Sequence, residues 1–373
     1  MAAASTRVAT GPPIRAREAM LSALTIPAPE PESDGTLEWR ATSVVVLELA
    51  AGGAHGLGHG WAPPAAARVV HDVLLGVVDG RDAFDVTGAW DAMARAVRNA
   101  GRPGIASMAI AVVDAALWDL KARLIGLPLA GLLGQARESV PAYGSGGFTS
   151  LSIDGLERQL GDWAASGLSM VKMKVGRDAA ADPGRVAAAR RAIGDEVALF
   201  VDANGGYTRK VALAQAEAFA GEDVTWFEEP VSSDDLEGLR LLRDRGPGGM
   251  AIAAGEYGFD LYDFRRMLDA GAVDVLQADA TRCGGPTGFL RVAALCRAWG
   301  LPLSAHTAPS LHAPLGCAEP VVAHVEYFAD HARIEPQIFD GALRPVRGRL
   351  RPDPARPGFG LTFKRVDAAR FAA

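Results

Sequence analysis

The chain has 373 residues, 49% of them hydrophobic, and a formal net charge of −6. That length and apolar content allow one large domain plus a smaller one. No basic run stands out, so the composition offers no footprint for nucleic acid. The longest apolar stretch, 105–118, is interrupted by Asp114 and followed by Asp119, which argues against a membrane span. The first ten residues lack the apolar centre of a secretory signal. Cys283, Cys296 and Cys317 are spaced neither as a disulfide framework nor as a zinc knuckle, and a reducing cytoplasm is the expectation.

In chain order, residues 1–12 read as loose and end at Gly11-Pro12-Pro13. A strand is expected at 14–25, then a mobile loop at 27–35, which is rich in Pro, Glu, Ser and Asp. Residues 44–49 read as a strand and Gly52-Gly53 as a turn. Pro63 and Pro64 suit the first turn of a helix running through the seventies. Residues 105–125 form a helix with a broad apolar face, closed by Gly126 and Pro128. Residues 1–137 thus read as an α+β domain. From 138 onward, β-rich runs at 140–143, 171–174, 197–201, 224–227, 251–253, 273–277, 301–304 and 321–327 alternate with amphipathic segments. Examples of the latter are 208–220, with Thr208 as N-cap, and 288–299. Eight alternations over 138–340 indicate an α/β chain forming a (β/α) barrel, with an open doubly wound sheet as the alternative. Residues 341–373 stop alternating and are expected to pack back on the first domain.

Function in such a barrel sits at the C-terminal ends of the strands. Reading those ends gives Lys172 and Lys174, Asp202, Glu228, Glu256, Asp279 and His306, with Glu326 inside the eighth run. From Lys174 onward the steps are 28, 26, 28, 23, 27 and 20 residues, each about one βα unit. Asp202, Glu228 and Glu256 on adjacent strands would repel unless a hard divalent cation joined them, which favours Mg²⁺ with Mn²⁺ as a substitute. Lys172 and Lys174 point to the same side of their strand, so each raises the cost of charging the other and one is expected to act as a base. His306 faces them, with Asp279 one unit earlier placed to fix its tautomer. His312 follows in a loop or helix and serves as the decoy histidine. Glycines 56, 58 and 60 superficially resemble a dinucleotide loop but lack the helix start and downstream acid. No role is derived for Arg282.

These residues resemble the enolase superfamily and, within it, the mandelate racemase subgroup. The resemblance rests on Lys172-Met-Lys174, Asp202-Ala-Asn204-Gly-Gly, Phe227-Glu228-Glu229-Pro230, Gly255-Glu256, Asp279 before Cys283-Gly-Gly285, Ser304-Ala-His306 and Val325-Glu326-Tyr327. It implies a modified TIM barrel with an N-terminal α+β capping domain completed by the C-terminal tail. It further implies Lys174 as base with Lys172 tuning it and touching the substrate carboxylate. His306 paired with Asp279 would serve the opposite face, Glu326 would share a hydrogen bond with a carboxylate oxygen, Asp202, Glu228 and Glu256 would hold Mg²⁺, and Asn204 would support them. A lysine base after the sixth strand, as in muconate cycloisomerase or dipeptide epimerase relatives, is replaced here by Asp279-Ala-Thr-Arg282.

The implied reaction removes the proton α to a carboxylate. Dehydration of a sugar acid to a 2-keto-3-deoxy acid is the first expectation. Cycloisomerisation of an anhydro- or lactone-type sugar acid and racemisation are the alternatives, because all three use the same residues. Substrate selection is expected from 32–39 and 56–61 of the cap, including His59 and Trp61, and from Tyr143 and Ser145. A metal-dependent aldolase or hydrolase on the same barrel is the reading from another class, opposed by the facing lysines. A non-catalytic binding protein would have no reason to keep both bases and all three carboxylates. Barrels of this kind usually assemble, so a homo-oligomer is expected.

Overall fold

The computed structural model describes residues 10–373, so most of the loose stretch expected at 1–12 lies outside the described residues. The chain first builds an antiparallel sheet in the order β1 (Arg15–Ser33), β2 (Glu38–Ala51), β3 (Ala54–Gly60). Gly52 and Gly53, both with positive φ, make the β2–β3 turn. The loop expected at 27–35 is instead mostly strand. Pro27 pairs with Ala41, Glu32 with Trp39 and Ser33 with Glu38, with a register slip between Pro27 and Glu32. At this end β1 has only β2 as a ladder partner among the described residues, so its prolines interrupt no central ladder. The turn shrinks to 34–37, which brings it down onto the barrel mouth.

The helix expected after Pro63 and Pro64 comprises α1 (Ala65–Val69), a π-helical turn at Val70–Leu74 and α2 (Leu75–Val78). Next come α3 (Val86–Ala96), α4 (Ile105–Ile125) and α5 (Leu129–Leu133). Gly126 ends α4 in the left-handed conformation. Helix α4 lies so close on β3 that a Cβ at Gly58 would come 2.1 Å from the Val112 carbonyl oxygen, and one at Gly56 2.3 Å from that of Ala116. Two of the three spaced glycines therefore permit helix–sheet contact, which is their physical reason in place of a phosphate loop.

Eight parallel strands follow: β4 (Val140–Gly146), β5 (Met170–Lys174), β6 (Ala198–Asp202), β7 (Val224–Glu228), β8 (Ala251–Ala254), β9 (Val275–Ala278), β10 (Leu303–Ala305) and β11 (Val322–Phe328). They pair in sequence order, and β11 pairs with β4 to close the barrel. The open sheet is thereby excluded. Helices α6 (Ile153–Ala165), α7 (Asp182–Ile193), α8 (Arg209–Ala220), α9 (Leu236–Arg245), α10 (Leu261–Asp269), α11 (Gly285–Trp299), α12 (Pro309–Ala318) and α13 (Ala329–Ile338) alternate with the strands. Thr208 caps α8 through its side chain, as its position before the amphipathic run predicts. The barrel interior is plugged by Tyr143, Phe200, Trp226 and Val275, so the lysines and carboxylates sit on a packed floor.

The tail binds both parts. Arg349–Leu350 pairs with the first residues of β4. Beyond it, Phe359 donates its N–H to Asp119 of α4 at 2.7 Å and Ala373 donates to the Ala23 carbonyl of β1 at 3.0 Å. The tail thus reaches the cap as expected and also covers the foot of the barrel. No helix among the described residues is long and apolar enough to cross a membrane.

Candidate active site

Strand register lines up the site. Lys174 pairs with Asp202 across β5–β6, and Asp202 with Glu228 across β6–β7. Glu256 lies two residues beyond β8. Ligand oxygens of Asp202, Glu228 and Glu256 all lie within 4.8 Å of one another, and all three residues are buried. Lys172, fully buried, donates to both oxygens of Glu228 at 2.7 Å and faces Glu326 at 2.9 Å and Asp202 at 3.5 Å. Trp226 and Gln277 donate to the same Glu228 oxygen at 3.0 and 3.2 Å. Lys174 donates to Asp202. Across the mouth, His306 Nδ1 lies 2.9 Å from Asp279 and its Nε2 lies 3.2 Å from Glu256. Glu326 accepts the Thr307 N–H at 2.9 Å.

The backbone at these strand ends is bent. Asn204, Glu229, Thr307 and Ala308 all have positive φ, and they are four of the six such non-glycine residues described. Such conformations cost free energy and gather at functional sites. His312, the decoy, stabilises one of these bends. Its Nδ1 lies 2.8 Å from the Thr307 carbonyl and its Nε2 accepts the Ala280 N–H at 2.9 Å.

Charge at the mouth is strongly coupled. Burial and the neighbouring Asp202 carboxylate push Glu228 up to about 8, against the pull of Lys172. Burial opposes ionisation of Glu326, but Lys172 and His306 hold it down at about 2. Burial also opposes a charged His306, yet Glu256 and Glu326 raise it to about 10. The carboxylates themselves shift neither lysine toward losing its proton near neutral pH. Burial works in that direction, but Glu228 and Glu326 hold Lys172, and Asp202 holds Lys174, above their ordinary range. The reason is that the carboxylates outnumber the lysines, so the lysines serve as their counter-charge.

A cavity of about 440 Å³ opens over this cluster between barrel and cap, and Lys174, Asn204, Glu256, Asp279, His306 and Glu326 line it. Trp61 lines it as well, stacked on His331 with ring centroids 3.6 Å apart. Three of the candidate substrate residues lie off the wall. His59, two residues before Trp61, is buried against Phe339. Tyr143 sits beneath the lysine layer, its ring 5.4 Å from Lys172 Nζ, and Ser145 is fully buried beside the strand carrying Glu326. Tyr143, in the middle of β4, and Ser145, near its C-terminal end, are placed to support Lys172 and Glu326, and neither lines the cavity.

Arg282, left without a role by the sequence, is part of the site. It donates to Glu256 at 3.1 Å and lies 3.7 Å from Asp279. Its place three residues after Asp279, in the same turn, was the available signal. Glu229 was also missed. It is buried, and burial together with Glu256 and Asp202 pushes its carboxyl well above the ordinary range. The donor set fits a hard divalent cation: the three carboxylates converge, all donors are oxygen, and Asn204 Oδ1 is buried with no hydrogen-bond partner.

Comparison with known proteins agrees with this geometry. Residues 155–367 match the family model for the enolase C-terminal domain-like fold, and 22–134 match the mandelate racemase/muconate lactonizing enzyme N-terminal domain. The chain belongs to the mandelate racemase/muconate lactonizing enzyme family of the enolase superfamily. It is 37% identical over 328 residues to a 3,6-anhydro-α-L-galactonate cycloisomerase from Streptomyces coelicolor, covering 84% of this chain and 87% of that one. A mandelate racemase/muconate lactonizing enzyme-like protein from Rubrobacter xylanophilus superposes with a TM-score of 0.93 at 55% identity, covering 95% and 99% of the two chains. A mutant L-talarate/galactarate dehydratase, an enzyme of Salmonella typhimurium, liganded with Mg and L-glucarate, gives a TM-score of 0.90 at 30% identity, covering 100% and 95%. Relatives of this chain are thus sugar-acid cycloisomerases and dehydratases.

Proposed function

We propose that the protein is a Mg²⁺-dependent lyase that removes the proton α to the carboxylate of a sugar acid and expels a β-hydroxyl, giving a 2-keto-3-deoxy acid. The observation that carries this reading is the three-carboxylate cluster flanked by Lys174 on one side and the His306–Asp279 pair on the other, with Lys174, Glu256, Asp279 and His306 lining one cavity. Bound to Asp202, Glu228 and Glu256, Mg²⁺ would supply positive charge to the developing enolate oxygens and relieve the lysines of that duty. Lys174 takes the α-proton. Lys172 holds the carboxylate end and sets the charge around Lys174. His306, oriented by Asp279, delivers a proton to the leaving hydroxyl from the opposite face. Glu326, held by the Thr307 N–H, shares a hydrogen bond with the substrate carboxylate, and Asn204 supports the cation.

A second reading, ring-opening cycloisomerisation of an anhydro-sugar acid, is favoured by the 37% identity to a cycloisomerase. It uses the same residues with a ring oxygen as leaving group. Proton NMR in D₂O with Mg²⁺ across a panel of sugar acids tests both. α-Proton exchange with a new 2-keto-3-deoxy signal is expected, and it is to disappear in Lys174→Ala. Exchange with only a change of configuration would replace the lyase reading by a racemase. No exchange, together with no stabilisation by Mg²⁺, would remove the reading altogether. The proposal extends to a reducing compartment, which the three buried free cysteines support. It also includes assembly with copies of itself, which sedimentation velocity tests.

A further inference from the structure

The cations of the cavity are all on its barrel side. Lys174, Arg282 and His306 line that side, and each already faces a carboxylate. The opposite wall is built from the cap, from the end of β11 and from the first turn of α13. It presents Leu37, Trp39, Trp61, Met108, Phe328 and His331. Among the described residues no lysine or arginine lines this wall. The arginines near this wall do not line the cavity, and each faces a carboxylate outside it. Arg177 donates to the Leu37 carbonyl at 3.4 Å and lies 3.8 Å from Glu38, Arg40 lies 3.7 Å from Glu38, and Arg333 is bound to Asp330. The formal charge that the cap does contribute is negative. Asp34 lines the cavity, only 8% exposed, accepting the N–H groups of Thr36 and Leu37 at 2.7 Å each.

The polar atoms on this wall suit a neutral group. His331 Nδ1 accepts the Ala308 N–H at 3.2 Å while its ring stacks on Trp61, which fixes the neutral tautomer with Nε2–H as donor. Burial pushes the same ring well below its ordinary range. Trp61 Nε1 is a buried neutral donor with no hydrogen-bond partner, so this wall brings no charge with it. A flat aromatic stack beside such donors packs against the C–H face of a sugar. A second carboxylate here would be desolvated without a cation and would lie on the side that carries Asp34.

We infer that the cavity takes a monocarboxylate, with its acid group on the barrel floor and an uncharged hydroxylated or ring-closed remainder against Trp39 and the Trp61–His331 stack, and that it rejects the corresponding dicarboxylate. This rests on the proposed α-proton chemistry for which end of the substrate meets the floor. The discrimination is of the kind produced when a buried charge is left unpaired, at least about 100-fold.

The experiment compares pairs of sugar hydroxamates, which mimic the enolate. Within each pair the configuration is the same and the far carbon is either CH₂OH or a carboxylate. Binding to the full chain with Mg²⁺ is measured by calorimetry for the galacto, gluco and lyxo series. The monoacid-derived member of at least one pair is expected to bind about 100-fold tighter or more. Equal or tighter binding of the carboxylate member overturns the inference while leaving the α-proton chemistry intact. Absence of Mg²⁺-dependent binding by every member, with no α-proton exchange on any acid, overturns that chemistry and the inference with it. Leu37→Arg adds a cation at the far wall. That side chain is 61% exposed, so the fold tolerates the change. The variant is expected to narrow the ratio tenfold or more, and an unchanged ratio would overturn the charge explanation.

Discussion

Replacing Lys172 by Met separates the structural from the catalytic consequence of the charge cluster. The ammonium lies 2.7 Å from Glu228 and 2.9 Å from Glu326, all three side chains being at most 1% exposed. Met keeps most of the volume, so the main effect is electrostatic. Removing one partner of a buried pair costs about 3–5 kcal/mol. For a chain of this size that is roughly 2 °C per kcal/mol, hence a Tm lower by about 6–10 °C in EDTA. Saturating Mg²⁺ at about 100 times its Kd adds about 2.7 kcal/mol to a protein with a preformed site. In the variant the cation also neutralises carboxylates stranded by the substitution, so its increment is expected to exceed that of the parent. Differential scanning fluorimetry in EDTA and in Mg²⁺ reads both. The gap between parent and variant should shrink when Mg²⁺ is added, while turnover stays lost. A gap that stays constant or widens would refute the assignment of Lys172 as counter-charge to a cation site.

Further outcomes follow from other contacts. Asp279→Asn keeps the shape beside His306 Nδ1 but removes the charge that orients the ring, so turnover is expected to fall by about 10²- to 10⁴-fold with Tm nearly unchanged. A loss under twofold would show that Asp279 does not position His306. Burial and the nearby Asp330 raise Glu32, which accepts a bond from Trp39 Nε1, from its ordinary 4.5 to about 7. The folded state therefore holds this proton more tightly than the unfolded chain. Its contribution is fully present below pH 4.5 and is lost as pH rises through 7. Glu32→Gln should accordingly gain Tm relative to the parent at pH 8 and gain nothing at pH 4, as read by thermal melts at both pH values. Gly58→Ala forces a methyl group to within 2.1 Å of the Val112 carbonyl and is expected to cost more than about 3 kcal/mol by denaturant titration. Cost below 1 kcal/mol would mean that β3 and α4 separate easily.

Much of the site was legible because a barrel repeats. Steps of 20 to 28 residues between ionisable positions correspond to one strand and one helix each, so spacing alone brought Lys174, Asp202, Glu228, Glu256, Asp279, His306 and Glu326 to one mouth. Local chemistry likewise marked the ends of α4 and α8, where Gly126 and Thr208 act within a single turn. The loop expected at 27–35 failed for the opposite reason. Its prolines speak against a central strand, and nothing local reveals that this stretch forms the free end of an edge strand.

By itself, then, the sequence determined the alternation, the strand-end residues and the kind of chemistry they support. These depend on contacts set by chain spacing, with period two along a strand and one βα unit between strands. Tertiary structure decided what depends on distant segments meeting. It closed β11 onto β4, turned Arg282 onto Glu256, placed His59 behind the wall and Trp61 on it, and laid an uncharged cap face over a charged floor. It also decided the field at the lysines, because that field is the sum over carboxylates from several strands, and the sum exists only once the barrel is closed.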